Sequence, residues 1–98
     1  MRIAILGLGQ MGGSLALAVK SAYPNASISG YDATDEHAQM VLERGGIDAV
    51  HATPEDAVKD AEIIFFATPL RSYPELAARI APHLPKDCIV SDVGSAQQ

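Results

Sequence analysis

The sequence predicts an open, doubly wound α/β sheet with parallel strands in the order 3-2-1-4-5. Three observations carry this. Apolar runs alternate with segments of helical periodicity along the whole chain. The runs Ile3–Leu6 and Ile63–Phe66 are too continuously apolar for a sheet covered on one face only. The first run leads directly into a glycine-rich turn, Gly7-Leu8-Gly9-Gln10-Met11-Gly12.

Taken in order, Arg2–Leu8 reads as a buried strand. Met11–Ala22 reads as a helix with Leu15, Ala18, Val19 and Ala22 inward, ended by Pro24 and Asn25. Ser27–Tyr31 is the second strand. Thr34 or Asp35 caps a helix running to about Arg44, with Ala38, Val41 and Leu42 inward and Gly45-Gly46 as its stop. Ile47–Val50 is a short third strand. Thr53-Pro54-Glu55-Asp56 has the form of an N-cap with proline in the first turn, opening a short helix to Lys59. Glu62–Ala67 is the fourth strand and Thr68-Pro69-Leu70 a loop. Ser72–Ile80 is a helix with Tyr73, Leu76, Ala77 and Ile80 inward. Asp87–Asp92 is the fifth strand, and Gly94-Ser95 begins another loop. Right-handed crossovers between parallel strands give the sheet order stated. That order leaves strand 5 as an edge with one face poorly covered, so the chain is expected to be the N-terminal part of a longer protein.

The 98 residues suffice for one domain with one core. The net charge of −5 argues against nucleic acid or an anionic membrane as partner. The single cysteine, Cys88, cannot form an internal disulfide and fits a reducing cytoplasm; in a predicted strand it reads as a buried structural thiol. No stretch approaches the length of a transmembrane helix.

The G-x-G-x-x-G lies between a strand and a helix, and Asp32 ends the next strand, twenty residues after Gly12. Together they form the dinucleotide-binding fingerprint of a Rossmann-type sheet. Gly7 allows the tight turn, Gly9 lets a pyrophosphate approach the backbone, and Gly12 lets helix pack on strand. The helix beginning near Gln10 aims its N–H groups and positive dipole end at the phosphates. The Asp32 carboxylate accepts from the adenosine ribose and repels a 2′-phosphate. No basic residue at Ala33 or Thr34 offsets that repulsion, so NAD is expected rather than NADP. Ligands in such sheets bind beyond the carboxyl ends of the strands. The cofactor-binding set is therefore Gly7, Leu8, Gly9, Gln10, Met11, Gly12, Asp32, Ala67, Thr68, Pro69 and Gly94, with Ser95 beside the nicotinamide and substrate. Arg71 is the base nearest this region. His37, His51 and His83 read as solvated, no spacing suggests a metal site, and no nucleophile–base arrangement is present.

Three segments resemble the prephenate and arogenate dehydrogenases. They are Gly7–Ala18 with its doubled glycine before Ser14-Leu15-Ala16, Asp60–Leu70 with its Ala67-Thr68-Pro69, and Val90–Gln97, which is similar to their Asp-x-Gly-Ser-x-Lys segment. The resemblance spans essentially the whole chain but only the cofactor-binding half of the family's architecture. It implies oxidative decarboxylation of prephenate or arogenate in tyrosine biosynthesis, with hydride transfer to NAD and Ser95 in the active site. It also implies that the key histidine, the substrate-binding residues and a helical dimerisation domain forming a homodimer lie beyond this chain. The chain alone would then bind NAD without turnover. Gln97 departs from the pattern, where lysine is usual. The competing readings are a β-hydroxyacid dehydrogenase, disfavoured by Gly13-Ser14-Leu15; a pyrroline-carboxylate reductase, disfavoured by Asp32; and a non-catalytic NAD(H) sensor.

Overall fold

Apolar runs without polar interruption become parallel strands covered on both faces. In the computed structural model, which describes residues 1–92, five such strands form one sheet in the order β3-β2-β1-β4-β5. They are β1 (Arg2–Leu6), β2 (Ser27–Tyr31), β3 (Ala49–Val50), β4 (Ile63–Phe66) and β5 (Ile89–Asp92). Every pairing among them is parallel, with Ile3 opposite both Ile28 and Ile63, and Leu6 opposite both Tyr31 and Phe66. The order is the one the sequence predicts.

The helices are α1 (Gln10–Ala22), α2 (Asp35–Glu43), α3 (Pro54–Val58) and α4 (Tyr73–Ile80). Alternate residues of each strand face opposite layers. Ile3, Ile5 and Ile28 pack with Ala16, Ala38 and Val41 under α1 and α2. Ala4, Leu6, Ile64 and Phe66 pack with Ala57, Val58, Leu76 and Ile80 under α3 and α4.

Local chemistry explains the helix ends. The Asp56 N–H donates to Thr53 Oγ1 at 3.2 Å, and Pro54 sits in the first turn, as its fixed φ favours. α2 ends in a Schellman motif. The Gly46 N–H reaches the Val41 carbonyl, the Gly45 N–H reaches Leu42, and Gly45 takes φ +78°. Thr34 occupies the N-cap position of α2, but its side chain makes no capping bond.

Several sequence expectations shift. β1 ends at Leu6, β3 shrinks to two residues and β5 begins at Ile89, because the flanking residues turn toward loops instead of extending a ladder. Residues Leu70–Ser72 form a separate 3-10 turn before α4. On α1 the buried positions are Gly12, Gly13 and Ala16; Leu15 and Val19 pack at the rim, and Ala18 and Ala22 are exposed. Gly12 lets α1 lie against the turn after β1 and Gly13 lets it lie against Val41 of α2, and these contacts set the rotation of the helix. On α4, Ala77 is exposed while Leu76 and Ile80 are buried. Cys88 precedes β5 and is only half-buried beside the second core layer.

Lys20 and Asp48 link α1 to the β2–β3 region. The Lys20 ammonium donates to the Ala26 carbonyl and to Asp48, whose carboxylate also accepts the Ile28 N–H at 2.8 Å. The hydrogen bond from Lys20, followed by that from Ile28, holds the Asp48 carboxyl below the usual carboxylate range. At the far edge, β5 leaves Ile89 and Val90 61% and 46% exposed among the described residues.

Candidate functional site at the carboxyl ends of the strands

The turn leaving β1 is built from contacts that exclude side chains. Gly7 takes φ +101° and donates its N–H to the Tyr31 carbonyl at 2.7 Å. A Cβ there would meet the Ala67–Thr68 backbone at 2.8 Å. A Cβ on Gly12 would lie 1.7 Å from the Gly7 carbonyl oxygen, so α1 and the turn touch backbone to backbone. Gly9 differs: the nearest atoms to a Cβ there are those of the His37 ring, at 4.0 Å. Packing explains Gly7 and Gly12 but places no demand on Gly9.

Gly9 is also the N-cap of α1. No side chain caps this end, and its first turn carries no acidic residue. The Gly13 N–H makes the first helical bond, to the Gly9 carbonyl at 2.8 Å. The N–H groups of Gln10, Met11 and Gly12 precede it and have no intrahelical acceptor. They give this end a positive potential suited to an anion.

Asp32 stands beside this turn. One carboxylate oxygen accepts the Leu8 N–H at 2.6 Å, and the other accepts the Thr34 N–H at 2.7 Å. The backbone thereby fixes the carboxylate, while each oxygen keeps acceptor capacity for another donor. Its side chain is 12% exposed, on a cleft of about 580 Å³. Gly7, Gly9, Asp32 and His37 line one side of the cleft; Ala67, Thr68 and Pro69 line the other, backed by Ser72, Glu75, Leu76 and Arg79 of the following turn and α4. Thr68 Oγ1 is buried there with no hydrogen-bond partner among the described residues. The structure therefore brings Gly7, Gly9, Asp32, Ala67, Thr68 and Pro69 together, with Leu8, Gln10 and Met11 in the same turn. Gly94, Ser95 and Gln97 lie outside the described residues.

Two features escape the sequence reading. His37, expected on a solvated surface, places Nδ1 3.3 Å from the Asp32 carboxylate and lines the cleft. Its position is legible in retrospect: three residues after the N-cap, a side chain reaches back over the turn that precedes the helix. Arg71, expected nearest the site, is exposed and does not line the cleft; Arg79 does. Arg79 makes a two-pronged bond to Glu55 at 3.0 and 3.1 Å, tying α4 to α3. The Glu55 backbone N–H, and then Arg79, hold the Glu55 carboxyl below its usual range, and Glu55 in turn raises Arg79. His51 lines a separate crevice of about 150 Å³ under α3, and His83 is exposed in the turn after α4. Tyr73 donates to the Asp92 carboxylate, tying the end of β5 to the start of α4.

Among the described residues no group of three or more His, Cys, Asp or Glu side chains is placed to hold a metal ion. No helix among them is long and apolar enough to cross a membrane.

The family model for the nucleotide-binding domain of prephenate dehydrogenase matches residues 15–98. The chain belongs to this family. A similar relative is the cyclohexadienyl dehydrogenase of Zymomonas mobilis, 36% identical over 95 residues, covering 97% of this chain and 32% of that protein. Among solved structures, arogenate dehydrogenase from Synechocystis superposes with a TM-score of 0.86 at 28% identity, covering 95% of this chain and 32% of that one. Prephenate dehydrogenase from Aquifex aeolicus, in complex with hydroxyphenyl propionate and NAD+, superposes with a TM-score of 0.84 at 27% identity, covering 94% and 32%. The chain thus spans about a third of the length of the proteins it matches.

Proposed function

We propose that the cleft binds NAD, and that this domain serves an enzyme that oxidatively decarboxylates prephenate or arogenate in tyrosine biosynthesis. The observation that carries the reading is the pairing of Gly9 with Asp32. Gly9 leaves open space over an uncapped helix N-terminus, and Asp32 is a fixed carboxylate with acceptor capacity beside it. A diphosphate suits the first feature and a ribose diol suits the second. The orphaned Thr68 hydroxyl offers a further bond on the opposite wall, toward the nicotinamide-side ribose.

In this reading Gly7 and Gly12 shape the turn. The N–H groups of Gly9, Gln10 and Met11 lie along the phosphate path while that of Leu8 holds Asp32, and Ala67, Thr68 and Pro69 border the nicotinamide half, to which Gly94 is assigned from the sequence alone. Bound there, NAD would supply the acceptor for the hydride that leaves the substrate's hydroxyl-bearing ring carbon. Ser95 is assigned to the active site through the resemblance of Val90–Gln97 to the family's segment. The base and the substrate-binding groups are assigned to a helical domain beyond this chain, which would also join two subunits in a cytoplasmic homodimer. Membership in the prephenate dehydrogenase family favours this reading over a β-hydroxyacid dehydrogenase or a pure sensor.

The test is NADH formation by the enzyme carrying this chain, offered prephenate and arogenate in parallel with NAD or NADP. Turnover is expected with NAD and at least one of the two substrates. No reaction with either, in a protein that still binds NAD, removes the assigned reaction and leaves only the cofactor.

A further inference from the structure

Among the described residues, the ionisable side chain bonded to Asp32 is His37, at 3.3 Å and half exposed. The carboxylate oxygen it meets already accepts the Leu8 N–H. His37 also borders both the cofactor cleft and an adjoining groove between α1 and α2. A ribose whose 2′-hydroxyl bonds Asp32 would therefore set its 2′ position beside His37. A carboxylate offers a neighbour no proton, so the contact is attractive only when Nδ1 carries the hydrogen. The neutral ring then leaves Asp32 with its full negative charge. The protonated ring sets a positive charge beside it and turns Nε2 into a second donor.

We propose that His37 determines cofactor specificity: its protonation offsets the Asp32 charge and admits a 2′-phosphate, making the choice between NAD and NADP depend on pH. The inference rests on the NAD-binding reading above. Among the described residues, the other charged groups lining the cleft or the groove, apart from Asp32, are Arg44 on α2 and Glu75 and Arg79 on α4, and α2 itself carries Asp35 and Glu36 in its first turn. From α1 the groove is lined by Gln10, Gly13, Ser14 and Leu17, none of them charged. Arginines and carboxylates keep their charge between pH 5 and 8, whereas an imidazole changes its charge there. A 2′-phosphate takes up a proton near pH 6 as well. The comparison must therefore be made between two proteins rather than between two pH values alone.

The experiment is calorimetric titration with NAD and NADP at pH 5.5 and 8, on the wild type and on His37→Gln, which keeps a donor for Asp32 but does not titrate. On acidification, the preference for NAD is expected to fall about tenfold further in the wild type than in the variant. Linkage requires the reciprocal effect: NADP, but not NAD, moves the midpoint of the His37 ring resonances upward by about one pH unit. Equal pH dependence in the two proteins, or an unmoved midpoint, overturns the proposal and leaves NAD binding intact. Absence of NAD binding at every pH overturns the cofactor reading and this proposal together.

Discussion

Alanine at Gly12 disrupts the protein, whereas alanine at Gly9 leaves it folded and weakens cofactor binding by about a hundredfold or more. The first outcome follows from contact. A Cβ 1.7 Å from the Gly7 carbonyl oxygen and 3.1 Å from the Ala67 side chain has nowhere to go, because two of its three nearest atoms are Gly7 backbone. Relief requires α1 to move off the sheet, carrying Ala16 out of the core layer it shares with Ile5. Overpacking of this kind costs on the order of 3 kcal/mol. In a domain of this size that lowers Tm by roughly 12–24 °C. Gly9 has an ordinary extended backbone with φ −70°, and its nearest neighbour atoms stand at 4.0 Å, so Gly9→Ala unfolds at the wild-type temperature. Its methyl group occupies the space a diphosphate needs, and NAD affinity falls by at least about a hundredfold, near 2.7 kcal/mol. Thermal unfolding and calorimetric titration of both variants measure the contrast. Retained NAD binding in Gly9→Ala would show that the open space over the helix end is not where phosphate sits.

Removal of the carboxylate in Asp32→Ala has the second large effect. Two hydrogen bonds from ribose hydroxyls to a charged acceptor are worth about 1.5 kcal/mol each at the low end. Their loss weakens NAD by on the order of a hundredfold. NADP gains relative to NAD, because the repulsion of a 2′-phosphate disappears with the charge. The variant also leaves the Leu8 and Thr34 N–H groups without their acceptor. A fall in stability is thus expected alongside, and Asp32→Asn, which keeps one oxygen acceptor, separates the two effects. Titration of both variants with both nucleotides checks this; an unchanged ratio of NAD to NADP affinity contradicts the assignment of Asp32 to the ribose.

Much of this was legible in the sequence because the signals are local. Ile63-Ile64-Phe65-Phe66 has no polar face, so only a strand covered on both sides accommodates it, and the structure divides the four residues between the two layers. Thr53-Pro54 and Gly45-Gly46 act within their own turns and mark helix ends where expected. Illegible features depend on distance between elements. The helical period puts Leu15, Ala18, Val19 and Ala22 on the inward face of α1, but the closest contact is made at Gly12, where no side chain stands, and Ala18 and Ala22 are exposed. His37, in the first turn of α2, and Arg79, in the last turn of α4, reach the cleft only because the fold sets both helices along it. Arg71 is nearer in sequence to the Thr68-Pro69 loop, but the 3-10 turn directs it away. Family membership rests on the whole pattern of residues 15–98, which no single turn encodes.

The most direct test of the central claim is amide-resolved NMR of the protein titrated with NAD. Saturable shifts are predicted for the Gly7–Gly12 turn, for the amides of Leu8 and Thr34 that hold Asp32, and for Thr68. No saturable shift at millimolar NAD, or shifts confined to the crevice under α3 around His51, would contradict it.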